Sequence, residues 1–103
     1  MATMKAVRMH EYGGPDVLRY EDAPRPEPKA GEILVRVHAA AVNPVDWKIR
    51  SGSFKAMGER PFPVTLGFDV AGTVEETGEG VSGFQKGDAV YANMHGGGYA
   101  EFV

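Results

Sequence analysis

One stretch decides how this chain folds: Leu66-Gly67-Phe68-Asp69-Val70-Ala71-Gly72-Thr73-Val74. Its apolar and β-branched residues predict a strand from Asp69 to Thr77. Gly67 and Gly72 are typical of positions where another backbone approaches closely. A glycine-rich turn follows, and the apolar residues after it predict a second strand from Asp88 to Ala92. This part of the chain therefore predicts two strands joined by a turn.

The strongest strand pattern lies upstream of that pair and runs from Glu32 to Val42. Alternation divides it into two faces, one with Ile33, Val35 and Val37 and the other with Leu34, Arg36 and His38. A short helix is predicted from Pro44 to about Arg50, ending near Gly52. Weaker patterns predict three further strands, at Lys5–His10, Val17–Glu21 and Tyr99–Val103.

Prolines and glycines separate these elements rather than forming a low-complexity tract; the chain has 7 prolines and 14 glycines. Pro24, Pro26 and Pro28 predict an extended surface connection without ladder pairing, because proline has no backbone N–H to donate. Many short strands with turns between them and one short helix favour a partly open β-barrel. The predicted fold class is therefore mainly β, a partly open barrel with short helices.

Composition limits the classes of function. The 103 residues suffice for one domain with a core, and 43% hydrophobic and 24% charged residues are ordinary for a soluble globular protein. A net charge of -3 with scattered basic residues argues against nucleic-acid or membrane partners. The absence of cysteine excludes disulfides and thiolate metal ligands. No signal peptide or membrane-spanning pattern is present, so the default expectation is a cytoplasmic protein.

One glycine motif could bind a dinucleotide or simply connect two strands. Its residues, Gly78-Glu79-Gly80-Val81-Ser82-Gly83, match the dinucleotide-binding pattern G-x-G-x-x-G. That pattern binds a pyrophosphate only when a helix N-terminus follows it. Here a turn at Gly87 and another strand follow instead. The motif therefore predicts a connection between strands, and Gly96-Gly97-Gly98 is likewise not expected to bind phosphate.

Three segments, in this order along the chain, resemble one known family: Asn43-Pro44-Val45-Asp46, Leu66–Val74 and Phe84-Gln85-Lys86-Gly87-Asp88-Ala89-Val90. They resemble the N-terminal domain of the medium-chain dehydrogenase/reductase superfamily, in particular its zinc-independent quinone oxidoreductase (zeta-crystallin-like) branch. The resemblance runs from Met4 to Val103. It implies that residues 1–103 form a GroES-like substrate-cleft domain, and that the family's Rossmann nucleotide-binding domain is absent from this chain.

The resemblance also implies an activity, namely hydride transfer from NADPH to a quinone or enone. The absent domain would hold most of the cofactor, so the 103 residues alone are expected to be inactive, and the full-length form is expected to be a homodimer. Two alternatives stay open. One is a free-standing GroES-like binding module without catalysis, and the other is the enoyl-reductase unit of a multidomain synthase.

The segment Asn43-Pro44-Val45-Asp46 supports two interpretations. Locally it is a helix N-terminus, with Asn43 as the N-cap, Pro44 at the first helical position and Asp46 placed to reach back. The resemblance implies in addition that Asn43 and Asp46 are catalytic and that Asn43 contacts the cofactor. It places Lys48 and Phe54 on the substrate side. Some relatives carry an aromatic residue where Lys48 stands, which leaves the substrate's shape open.

The resemblance also bears on metal binding. Zinc-dependent members of the superfamily carry Cys at the position of Asn43 and a His-Glu pair at Phe68-Asp69, so this chain is expected to bind no zinc. Without such a metal, alcohol oxidation loses the group that stabilises its alkoxide. Reduction of a conjugated acceptor needs no such group, because conjugation spreads the charge.

Overall fold

The structure is a computed structural model that describes residues 2–103. Within those residues, six strands, one α-helix and two short 3₁₀-helices confirm the predicted mainly β fold class. In chain order the elements are β1 (Thr3–Met9), a 3₁₀-helix (Pro15–Val17), β2 (Leu18–Pro24), β3 (Ile33–Ala41), α1 (Pro44–Ser51), a second 3₁₀-helix (Lys55–Met57), β4 (Val64–Thr65), β5 (Asp69–Thr77) and β6 (Ala89–Asn93).

The strands form two antiparallel sheets, with the orders β2–β1–β4 and β3–β5–β6. The C-terminal residues connect the sheets. The N–H of Val7 in β1 donates to the Tyr99 carbonyl over 2.8 Å, and the N–H of Val103 donates to the carbonyl of Val35 in β3 over 3.0 Å. The sheets are joined in this way but are not closed into a barrel.

The prediction of a regular final strand at Tyr99–Val103 is wrong. Only isolated bridges form there, Ala100 opposite Ala6 and Phe102 opposite Arg36. The reason is that the first half of the segment bonds to β1 and the second half to β3. Neither half is long enough for a continuous ladder, although the backbone groups named here are hydrogen-bonded.

Strand β3 departs from the predicted alternation. Leu34 and Val35 were expected on opposite faces, yet both are buried, at 1% and 5% exposure. The pairing of β3 with β5 shifts register between these two residues and again between Val37 and Ala39. Such a bulge rotates the strand, so successive side chains both turn inward.

Helix α1 confirms its prediction. It follows Asn43, has Pro44 at its first position, and ends at Gly52, whose φ of 88° is the left-handed conformation that glycine adopts readily. Pro24, by contrast, does lie in a ladder, as the last residue of β2 opposite Thr3. A strand end tolerates proline because the chain leaves the sheet there. Within the described residues, no helix combines the length and apolar character needed to cross a membrane.

The part of the core that supports the site lies between α1 and the first sheet. Met9, Ile49, Val64 and Leu66 are buried together there, each at 7% exposure or less. Aromatic side chains pack against this cluster from the loops, namely Tyr12, Phe54, Phe68 and Tyr99. Helix α1 is thereby held against β4 and the start of β5.

Candidate functional site

Three adjacent strand ends bring polar residues to one edge of the second sheet. In the antiparallel register, Ala41 at the end of β3 lies opposite Asp69 at the start of β5, and Asp69 lies opposite Asn93 at the end of β6. Asn43 follows Ala41 by two residues and caps α1. The sheet register therefore brings Asn43, Asp69 and Asn93 together.

These three side chains form an amide–carboxylate–amide cluster. The Nδ2 of Asn43 donates to Asp69 Oδ2 over 2.7 Å, and the Nδ2 of Asn93 donates to Asp69 Oδ1 over 2.8 Å. Hydrogen bonds from Asn93 and from Asn43 hold the pKa of the Asp69 carboxyl below its usual value. An ionised carboxylate only accepts, so Asp69 turns the nitrogen side of the Asn43 amide toward itself.

Asp46 has a different environment, although it belongs to the same segment as Asn43. Its side chain is 3% exposed. Oδ2 accepts from the Asn43 backbone N–H over 2.9 Å and from the Tyr99 hydroxyl over 3.0 Å, while Oδ1 accepts from the Gly67 N–H over 2.9 Å. The predicted capping contact is confirmed. The predicted catalytic role of Asp46 stays a prediction. The three hydrogen bonds show that its carboxylate links the start of α1 to the loop before β5 and to Tyr99.

The loop before β5 packs tightly on the C-terminal segment. Gly67 has a φ of 99°, and a Cβ there would lie 2.7 Å from Tyr99 Cδ1 and 2.8 Å from the Tyr99 nitrogen. A Cβ at Gly72 would lie 1.9 Å from the Arg36 carbonyl oxygen. The predicted close backbone approaches at both glycines are confirmed. The packing of Tyr99 on Gly67 also partly buries the Tyr99 phenol beside Asp46. This burial and the hydrogen bond to Asp46 raise the pKa of Tyr99 to about 12.

A mostly apolar cleft of about 290 Å³ opens beside this loop. Phe68 and Val45, which line it, are the chain neighbours of Asp69 and Pro44. Phe54 also lines the cleft. Its place on the substrate side stays a prediction. The full lining is Tyr12, Val45, Ile49, Phe54, Lys55, Met57, Gly58, Arg60 and Phe68.

Lys48, the other residue predicted to bind substrate, is not among the residues that line this cleft. Its ammonium lies 5.7 Å from the ring centroid of Trp47, which is half-exposed. A substrate role for Lys48 stays a prediction.

The residues at the positions of a superfamily zinc site do not fit that metal. Phe68 has no donor atom, and both oxygens of Asp69 accept from amides, one of them the Asn43 side chain. In the part of the chain that the structure describes, no group of three or more His, Cys, Asp or Glu side chains is arranged to hold a metal ion. Zinc independence itself stays a prediction.

The glycine motif Gly78–Gly83 is confirmed as a connection. The Gly78 N–H donates to the Glu32 carbonyl over 2.7 Å, and the chain then passes through a turn to β6. No helix follows the motif within residues 2–103, so it does not fit a dinucleotide. A Cβ at Gly78 would lie 1.9 Å from the Lys29 carbonyl oxygen, which explains glycine there.

Several residues of the site were missed by sequence reasoning. Asn93 lies just beyond a strand that was predicted to end at Ala92. Tyr99 begins a predicted strand for which the sequence indicated no neighbouring strand. Asn93 could have been found, because pairing two antiparallel strands of known ends brings it opposite Asp69. The contact of Tyr99 with Asp46 spans 53 positions in the chain, and no local pattern indicates it.

The fold and this arrangement define a class of protein. The sequence profile of the alcohol dehydrogenase GroES-like domain family matches residues 29–103. The chain belongs to that family, which confirms the resemblance to the N-terminal domain of the medium-chain dehydrogenase/reductase superfamily.

Within that class, the chain is similar to quinone oxidoreductases. It is 46% identical to the quinone oxidoreductase of Rattus norvegicus over 97% of its own length and 30% of the rat protein. The structure of the Coxiella burnetii quinone oxidoreductase matches with a TM-score of 0.89 and 37% identity, over 99% of this chain and 34% of that one. A mycobacterial protein solved in complex with NADPH matches with a TM-score of 0.86 and 41% identity, over 96% and 30%. The chain thus spans about a third of the length of these relatives.

Proposed function

We propose that this chain is the N-terminal, substrate-cleft domain of a zinc-independent, NADPH-dependent quinone or enone oxidoreductase. The observation that carries the proposal is the apolar, aromatic-walled cleft beside the Asn43–Asp69–Asn93 cluster. The rat and Coxiella relatives named above support the acceptor class, and the NADPH complex of the mycobacterial relative supports the cofactor. We expect the full-length protein to be a homodimer in the cytoplasm.

The cleft suits a planar acceptor because its aromatic side chains present flat apolar surfaces, from which a bound ring would displace water. Phe54 and Phe68 offer ring faces or edges for stacking, and Tyr12 is held edge-on to Phe62 at a centroid distance of 5.0 Å. Exclusion of water strengthens the electrostatic interactions that hold the reactants. In this domain the reaction therefore depends chiefly on orientation.

Asn43 is the residue proposed to meet the cofactor. Its amide is fixed by Asp69, and its second N–H and its carbonyl are chemically suited to a neutral carboxamide or carbonyl group. A bound NADPH would supply the hydride, and a proton from solvent would complete reduction of the acceptor. Asp46 acts in this proposal through the position of Asn43, whose backbone N–H it binds.

The test is an assay of NADPH oxidation by a full-length protein that contains this domain, with menadione and a short 2-alkenal as acceptors. Turnover with either acceptor supports the proposal. We expect no turnover from the 103-residue chain alone, because the residues described here provide no phosphate-binding turn. Lack of turnover by the full-length protein with both acceptors would contradict the proposal. Activity restricted to carrier-bound enones would instead favour an enoyl reductase.

A further inference from the structure

The charged residues of the cleft lining are all of one sign. Lys55 and Arg60 both line the apolar cleft, and the lining contains no aspartate or glutamate. A neutral quinone needs no such pair of cations. Their presence on an otherwise apolar surface therefore requires an explanation beyond the proposed reaction.

Arg60 is partly held in place, but no carboxylate among the described residues pairs with its charge. One of its terminal nitrogens donates to the His95 carbonyl over 2.5 Å, and its guanidinium carbon lies 5.5 Å from the Phe68 ring centroid. Within residues 2–103 it forms no ion pair with a carboxylate. A guanidinium has five N–H donors, so Arg60 retains donors for a ligand in addition to its contact with an aromatic wall.

Lys55 lies in the 3₁₀-helix that follows Phe54. Its side chain is exposed, and across the described chain it makes no ion pair. Part of its aliphatic stem approaches Gly52 beside the Tyr12 ring, since a Cβ on Gly52 would lie 3.7 Å from Lys55 Cδ and 3.3 Å from Tyr12 Cγ. The stem thus lies along an apolar wall while the ammonium group stays available to a ligand.

We propose that Lys55 and Arg60 are specificity-determining residues that select planar aromatic acceptors carrying an anionic group, such as a sulfonate or a carboxylate. The proposal rests on the assignment of this cleft to the acceptor. The aromatic walls bind the ring system, and the two cations bind the anion through charge-assisted hydrogen bonds. Electrostatic attraction would also raise the rate of encounter with such ligands.

The test is a calorimetric titration of this chain with two matched probes, anthraquinone-2-sulfonate and 2-(hydroxymethyl)anthraquinone. Both present the same ring system, and only the first carries a charge. We expect the sulfonate to bind roughly tenfold more tightly at low salt, with the advantage shrinking as ionic strength rises. Lys55→Gln should remove much of that advantage, and Lys55→Arg should retain it.

Two further variants complete the design. Arg60→Gln should weaken sulfonate binding without affecting the neutral probe to the same extent. Lys86→Gln removes a cation outside the cleft and should leave both affinities unchanged. Circular dichroism of each variant checks that its fold is retained, and Lys55→Gln carries the test if Arg60→Gln does not fold.

The outcomes separate this inference from the proposed function. Equal affinity for the two probes overturns the anion preference and leaves the acceptor cleft standing. An equal loss of sulfonate affinity in Lys86→Gln and Lys55→Gln also overturns it, because it indicates attraction to the whole surface. Binding of neither probe overturns the anion preference, and the NADPH assay of the full-length protein then decides separately whether the proposed function stands.

Discussion

Two carboxylates of this domain lie in neighbouring regions and have opposite surroundings. Asp46, on the first turn of α1, is almost fully buried and accepts from two backbone N–H groups and a phenol. Asp69, at the start of β5, is partly exposed and accepts from two side-chain amides. The first binds parts of the fold to one another, whereas the second orients side chains at a surface.

The comparison shows that the type of hydrogen-bond donor distinguishes a structural carboxylate from a carboxylate of the candidate site. Backbone donors such as the Gly67 N–H cannot turn away, so removal of Asp46 leaves them buried without an acceptor. The amides of Asn43 and Asn93 are near enough to the surface to bind water or a ligand instead. We therefore expect substitutions at Asp46 to affect stability most, and substitutions at Asp69 to affect function most.

The largest effect is expected for Asp46→Ala. Loss of the carboxylate leaves the Gly67 N–H, the Asn43 N–H and the Tyr99 hydroxyl without their acceptor, and we expect a loss of about 4 kcal/mol in the free energy of unfolding. Urea denaturation measures it. The matched control is Asp22→Ala, since Asp22 pairs with Lys5 at the surface and its loss should change little. Equal stability of the two variants would contradict a structural role for Asp46.

The second prediction concerns the loop that Asp46 binds. Gly67→Ala places a Cβ against Tyr99 in a left-handed conformation, and we expect a loss of about 3 kcal/mol in unfolding free energy. Gly80→Ala is the control, because Gly80 has a φ of 81° but no neighbouring atom within 4 Å of a Cβ. It should lose only about 1 kcal/mol. Similar losses in both variants would show that the packing on Tyr99 contributes little.

A smaller loss, about 1–2 kcal/mol, is expected for Tyr99→Phe, which removes one hydrogen bond to Asp46 and keeps the ring. This variant also tests pH dependence. Burial and the Asp46 contact raise the Tyr99 pKa from its usual 10.0 to about 12, so the folded state favours the protonated phenol. The stabilisation is complete below about pH 10 and is lost as the pH rises toward about 12. Denaturation across this range should show the decline in the native chain and not in Tyr99→Phe.

The smallest effect on stability is expected for Asp69→Asn. The amides of Asn93 and Asn43 hold the Asp69 pKa below its usual value of 3.8, so the carboxylate stabilises the fold at neutral pH and loses that contribution only in acid. At neutral pH we expect the substitution to cost less stability than Asp46→Ala. In a full-length protein that contains this domain it should lower kcat, because the amide that replaces the carboxylate has one accepting oxygen and can no longer accept from both Asn43 and Asn93. An unchanged kcat would contradict the role given to this cluster.

Much of the fold could be predicted because its signals are local. Helix α1 carries its own N-cap, proline and C-terminal glycine within ten residues, and it forms where those residues predict it. Strand β5 is likewise bounded as predicted, from Asp69 to Thr77. The two-residue strand β4 was missed, because Val64–Thr65 has too few residues to show any periodicity.

The candidate site could be predicted only in part. Asn43, Asp46 and Phe54 were named from the sequence, and Asp69 was placed where zinc-dependent members of the superfamily carry Glu. Lys55 and Arg60 were not identified, because an exposed cation in a loop has no distinguishing pattern until its neighbours are known. Nothing in the order of residues distinguishes Lys48, outside the cleft, from Lys55 in its lining.

The sequence by itself determined the family, the mainly β class, the capped helix and the rejection of the glycine motif as a dinucleotide site. The helix, the strand patterns and the rejected motif follow from residues that lie close together in the chain, where backbone preference and hydrogen-bond geometry act locally. The family follows from three short motifs, each of which is continuous in the chain. Only the tertiary structure decided that Asp46 is enclosed by Gly67 and Tyr99 while Asp69 faces two amides. Burial and partner choice depend on contacts across 20 to 50 or more positions, and two aspartates are identical until the fold surrounds them.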